Sequence, residues 1–192
     1  GPAAVEKRRV SFARGRGAAH LALRSLGWTD EPVLSGPNRE PLWPNGMVGS
    51  ISHAVGFGVA IAAPAADTDG VGVDIEQLGP VTELWEHVLR IEERTWIRSL
   101  DNDAKSRALI ALFSAKESIY KAFFPRHRQF FGFETASLVP TSSGFEARLI
   151  DGFDVDYPSR RSFSVGCRWS GDLVTTWVVL PLSSRPEGAG AF

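Results

Sequence analysis

Residues 103–124 carry the strongest helical signal in the chain and set what the rest can pack against. Leu109, Leu112, Phe113, Tyr120 and Phe123 form an apolar stripe; Asp103 stands where a cap is needed and Pro125 where a helix stops. On either side the period turns from helical to alternating. Residues 6–26 read as a helix, with Phe12, Ala19, Leu23 and Leu26 at helical spacings and Gly27 as the stop. The turn-rich "SGPNREPLWPNG" follows. Then "MVGSISH", "FGVAIAAP" and "VGVDIEQL" read as three short strands joined by tight turns, an antiparallel meander. Residues 82–100 make one broken helix or two, and strand patterning returns at 132–139, 145–150, 162–169 and 173–180. Helix, strands, helices, strands is an α+β order, two halves each pairing a helix with a small sheet. The expected boundaries are 1–80, 81–182 and a flexible tail at 183–192.

Composition narrows the function classes. The 192 residues carry a net charge of −1, which supplies no global field to draw in nucleic acid or a membrane surface. No apolar run approaches the roughly 18 residues of a membrane-crossing helix, and no secretory signal is visible. Cys167 is the one cysteine, so no intramolecular disulfide can form, which fits a reducing cytoplasm. The opening Gly1-Pro2 reads as a protease-cleavage scar, with the native N-terminus expected upstream.

Four stretches carry chemistry. In "VGVDIEQ", Asp74 and Glu76 share one face of a strand with Cα atoms roughly 6.5–7 Å apart. Neighbouring carboxylates repel unless something positive lies between them. A hard divalent cation would serve, and Mg²⁺ favours carboxylates with substrate phosphate and water. A solvated edge-strand face is the bland alternative. "AKESIYK" holds two of the four lysines in a chain with seventeen arginines. There Glu117 and Lys121 are i,i+4 neighbours in the favourable orientation, a pair that exposed helices also use. Lys116 lies about 100° round the helix from Glu117, beside the apolar stripe. It can snorkel, or it can meet a phosphate as a mobile point charge, with Glu117 giving a third carboxylate to the cation.

"GSISH" ends a strand at Ser52 and His53 before a tight turn; no second histidine stands at zinc-ligand spacing. His53 reads as structural or as a donor to a phosphate, not as a metal ligand. In "EKRRVSFARGRGAAH", Arg9 and Arg16 share a helix face, His20 follows one turn on, and Arg8 lies about 80° from Arg16. That ridge suits a phosphate group or a solvated basic face. No glycine-rich phosphate loop and no G-x-S-x-G elbow occurs, so side chains would have to hold any phosphate.

Taken in order, the Arg-rich helix, "REPLWPNG", "GSISH", "GVDIE" and "FSAKESIYKAFF" resemble the 4′-phosphopantetheinyl transferases, in particular the surfactin- and enterobactin-synthesis type. The resemblance runs over residues 6–133, and the C-terminal strands match only in pattern. It implies two similar α/β halves about a pseudo-two-fold axis, with coenzyme A between them. It implies Mg²⁺-dependent transfer of the phosphopantetheine arm of coenzyme A to a serine of an acyl, peptidyl or aryl carrier protein, with 3′,5′-ADP released and Mn²⁺ as a substitute metal. The implied metal ligands are Asp74, Glu76 and Glu117, and the implied catalytic groups Glu117, Lys121 and Asp74. The implied coenzyme A contacts are Arg8, Arg16, Arg39, Ser52, His53, Asp74, Lys116 and Lys121. Departures fall in the nucleotide grip: His20 stands where many relatives have Arg, and Ser35 and Asn38 replace basic residues. The expected dock for an acidic carrier protein is the basic loop 126–128 with Phe130 and Phe131, and the expected state is a cytoplasmic monomer that binds neither nucleic acid nor membrane. A non-catalytic coenzyme A or nucleotide-binding module is the alternative reading.

Overall fold

A computed structural model describes residues 2–28, 32–37, 40–80, 85–128, 130–150 and 162–182, without the side chains of 2–5, 7, 8, 85 and 86. The first helix, α1 (Pro2–Ser25), lies across a hairpin of β3 (Met47–Ala54) and β4 (Phe57–Pro64). Two short strands, β1 (Leu34–Ser35) and β2 (Pro41–Leu42), pair between them. Helix and hairpin touch backbone to backbone: a Cβ at Gly58 would sit 2.5 Å from the Arg14 carbonyl oxygen. Ala19, Leu23, Val33 and Met47 close a small core here, flanked by Trp28 and Trp43.

The next strand, β5 (Gly70–Gln77), corrects the expected meander. It pairs with β9 (Leu173–Leu180), over one hundred residues away, and forms the edge of a five-stranded antiparallel sheet in the order β5-β9-β8-β7-β6. The other strands are β6 (Ala136–Thr141), β7 (Gly144–Leu149) and β8 (Ser162–Ser170). Burial gives the reason. Residues 70–75 are buried on both strand faces, which a strand beside a half-exposed hairpin would not be. So β5, inside the expected 1–80 half, gives its ladder to the C-terminal sheet.

Between β5 and that sheet's remaining strands come α2 (Trp85–Val88), α3 (Ile91–Arg98) and α4 (Asn102–His127). Helix α4 rides directly on β5: a Cβ at Gly72 would fall 1.8 Å from the Ser118 carbonyl oxygen. Leu112, Ile119 and Phe123 of α4 pack with Val165, Val174 and Val178 in the main core. The cap of α4 is Asp101, whose side chain accepts from the Ala104 N–H at 2.8 Å; Asp103 lies in the first turn. Nor does Pro125 end the helix. It costs one backbone donor within the last turn, and the chain leaves α4 at Arg128, in the left-handed region at φ 50°.

The hairpin meets β5 through side chains. The Ser50 hydroxyl accepts from the Val73 N–H at 3.1 Å, and the Ser52 hydroxyl donates to Asp74 Oδ1 at 2.8 Å. Two hydroxyls stand where a backbone ladder would otherwise join the halves.

Candidate active site

Asp74 is the centre of that seam. Its carboxylate is buried, and Oδ1 accepts from Ser52 and from the Lys121 ammonium at 2.7 Å. Lys121 also donates to the Val73 carbonyl at 3.3 Å. The sequence pairs Lys121 with Glu117, but its ion pair crosses from α4 to β5. The other oxygen, Asp74 Oδ2, is buried with no hydrogen-bond partner. A buried carboxylate oxygen left bare is costly, so it marks a place where something else donates.

Two further carboxyls feel this charge. Glu76 is half-buried, and burial, then Asp74, with Glu117 adding, push its pKa up to about 7 against the opposing pull of Lys121. Glu117 is raised as well, first by burial and then by Asp74, with Lys121 opposing. Asp74 thus stands near enough to Glu76 and Glu117 to make both harder to ionise. Among the described residues, no three His, Cys, Asp or Glu side chains ring a single point as a complete ion cage. Mg²⁺ does not need one: it takes one or two carboxylates and fills its octahedron with water and phosphate oxygens. The hard oxygen donors, the bare Oδ2 and the raised Glu76 and Glu117 carboxyls fit such an ion.

Lys116 is a correction. It was expected to reach a phosphate, yet its side chain is 1% exposed and points into the protein. Its ammonium donates to Glu93 Oε2 at 2.7 Å, to the Val88 carbonyl at 2.8 Å and to the Phe133 carbonyl at 3.0 Å. All three of its protons are committed, so none remains for a ligand. Burial lowers its pKa while Glu93 pulls it back up. Glu93, which sequence reasoning missed, lies in α3 with nothing in its local pattern to distinguish it from Glu92 beside it.

The remaining expected contacts are scattered. Ser52 lies at the seam, committed to Asp74, and His53 next to it on β3 is exposed. On α1, Arg16 donates through Nη2 to the Leu34 carbonyl at 3.1 Å and the Ser35 hydroxyl at 2.8 Å, and stacks 4.7 Å over Phe12. Its Nε is buried without a partner, and burial lowers its pKa. The Arg8 side chain and all of Arg39 lie outside the described residues. Beside Glu117 opens a cleft of about 120 Å³, walled by Ile119, Tyr120, Phe130, Phe131 and Phe133. The Tyr120 ring meets Phe131 at 4.9 Å and Phe130 at 5.9 Å between centroids, tilted in both pairs. Phe130 is 85% exposed, and the neighbouring Arg126 pairs with Asp69 at 3.3 Å.

The chain has relatives among known proteins. The family profile for the 4'-phosphopantetheinyl transferase N-terminal domain matches residues 2–63, and that for the 4'-phosphopantetheinyl transferase superfamily matches residues 70–175. The chain belongs to the 4'-phosphopantetheinyl transferase superfamily. It is 39% identical over 154 residues to 4'-phosphopantetheinyl transferase Svp of Streptomyces mobaraensis, covering 77% of this chain and 61% of Svp. It is 35% identical over 187 residues to 4'-phosphopantetheinyl transferase PptT of Mycobacterium tuberculosis, covering 92% of this chain and 81% of PptT. With enterobactin synthase component D of Salmonella typhi it shares 39% identity over 126 residues, 64% of this chain and 51% of that protein. The chain therefore spans about three fifths of Svp and half of the enterobactin component.

Proposed function

We propose that this chain transfers the 4′-phosphopantetheine arm of coenzyme A to a serine of an acyl, peptidyl or aryl carrier protein, releasing 3′,5′-ADP, as a cytoplasmic monomer. The observation that carries the reading is Asp74: buried, clamped at one oxygen by Ser52 and Lys121, bare at the other, and coupled to Glu76 and Glu117.

In this reading Asp74 Oδ2 together with Glu76 or Glu117 would hold Mg²⁺, and the ion would supply charge neutralisation and orientation for the pyrophosphate. The serine oxygen forms a bond to the β-phosphorus, the bond from that phosphorus to the bridging oxygen breaks, and negative charge grows on the departing 3′,5′-ADP phosphate. Lys121 is partly exposed beside Asp74, where its ammonium can shift toward that charge and stabilise it. Glu117, whose carboxyl burial makes more basic, accepts the serine proton directly or through a water. His53, exposed at the end of β3, and Arg16 offer donors to the nucleotide phosphates. Arg128 and the exposed Phe130 offer an acidic carrier a charged and an apolar contact.

The test is mass spectrometry of apo carrier proteins incubated with the chain, coenzyme A and Mg²⁺. A gain of one phosphopantetheine group, lost when Mg²⁺ is chelated, is the expected result. Coenzyme A binding without any mass gain on acyl, peptidyl or aryl carriers would replace this reading with the non-catalytic module.

A further inference from the structure

The interior pair of Lys116 and Glu93 has no part in that chemistry, yet Lys116 is the immediate neighbour of Glu117. Both side chains are fully buried. Their bonds spread over five segments. Lys116, from α4, donates to Val88 at the end of α2 and to Phe133 in the loop that leaves α4. Glu93, from α3, accepts from the Arg90 N–H at 2.8 Å through Oε2 and from the Leu138 N–H of β6 at 2.9 Å through Oε1. Arg90 Nη1 in turn donates to the Glu134 carbonyl. The loop 130–135 is thus held from beneath at two consecutive carbonyls. That loop carries Phe131 and Phe133, which wall the cleft opposite Glu117 and Tyr120.

A buried ion pair is a poor way to add stability, since desolvation offsets much of the attraction, and apolar residues of similar size often do as well. What it supplies here is direction. An ammonium with three fixed acceptors allows one arrangement of α2, α3, α4 and the loop, where an apolar contact would tolerate sliding.

We infer that Lys116 and Glu93 are positioning residues for the transfer: the pair pins loop 130–135 against α4, so that the Phe131–Phe133 wall stands fixed beside the Glu117 carboxylate where the acceptor serine must approach. The inference rests on the transferase reading above. In that reading the metal and the pyrophosphate would lie on the Asp74 side of Glu117, so the pair acts on the acceptor side and leaves the coenzyme A grip alone.

The experiment uses Lys116→Met/Glu93→Gln, which removes both charges together and so avoids leaving one stranded. Its companion, Lys116→Gln/Glu93→Gln, returns a donor toward the Val88 and Phe133 carbonyls. Amide exchange, kcat and the KM for coenzyme A are measured on each full chain. In the Met/Gln variant, exchange at 130–135 should quicken about tenfold while β7–β9 stay protected, and kcat should fall about tenfold or more. The KM for coenzyme A should hold within about twofold. The Gln/Gln variant should recover part of both losses. If Met/Gln melts below the assay temperature, Gln/Gln, which also removes both charges but keeps polar contacts, is read against the wild type in its place. A folded Met/Gln variant with wild-type turnover, whether or not the loop loosens, overturns the inference. So does an equal loss of kcat and coenzyme A affinity with exchange raised across the whole sheet, the mark of general destabilisation. A wild-type chain that transfers nothing overturns the functional reading instead; loop exchange then decides the pinning by itself.

Discussion

Asp74 shows how much one side chain can be asked to do. It ties the hairpin to β5 through Ser52, fixes Lys121 and keeps one oxygen bare. Replacing it with Asn keeps the shape and removes the charge that Lys121 and the cation need. Asp74→Asn should therefore lower transfer by at least about 100-fold while the melting curve stays cooperative, as a coupled kinetic and circular-dichroism assay would read. Lys121→Ala should lower kcat and kcat/KM together by about 100-fold with little change in the KM for coenzyme A, because its charge is needed as the leaving phosphate develops. Glu76 predicts a pH effect. Its folded pKa is raised from 4.5 to about 7 by burial, Asp74 and Glu117, with Lys121 opposing. Between those values the folded chain holds a proton that the unfolded chain has released, so stability falls as pH rises through this window and levels off above it. The Tm of the metal-free chain should drop between pH 5 and 7, and Glu76→Gln should flatten that slope in a thermal-shift series. Glu117 is raised in the same direction and leaves part of the slope in that variant. At this scale the sequence was legible where geometry is local. Asp74 and Glu76 share a face because strand side chains alternate, and Glu117 precedes Lys121 by one helical turn. Whether Lys116 turned outward or inward depended on Glu93, Val88 and Phe133, each distant in sequence.

Elements were read well in kind and less well at their ends. Helix α4 and strands β3, β4 and β7–β9 lie close to where periodicity puts them, because each has a continuous apolar face. The cap fell to Asp101 and the stop passed Pro125, since caps are settled by single hydrogen bonds that periodicity does not see. The β3–β4 turn holds an element-scale prediction. Val55 and Gly56 both have positive φ, 44° and 88°. A β-branched residue is strained there, while a two-residue turn of this kind favours Asn-Gly. Val55→Asn should raise stability by about 1 kcal/mol, seen as a Tm increase of a few degrees. A Tm at or below that of the parent would show that the exposed Val55 side chain contributes more than its backbone strain costs.

The whole molecule turns on how its two cores meet. One lies between α1 and the hairpin, the other between α4 and the five-stranded sheet, and β5 passes between them. At the junction Ser50 receives the Val73 N–H in place of a ladder bond. Ser50→Ala leaves that buried donor unpaired and should cost about 1–3 kcal/mol in a urea melt, with transfer slowed because Asp74 sits on the next residue. An unchanged melt would mean that the seam closes without the hydroxyl. The elements, the acidic and basic motifs and their order can be read along the chain, because those depend on neighbours within a turn of helix or a pleat of strand. That β5 joins β9, that Lys116 is interior and that Asp74 keeps a free oxygen emerges once the chain is folded. Those outcomes follow from contacts between segments far apart in the chain, where burial and hydrogen-bond completion, and no local propensity, choose the partner.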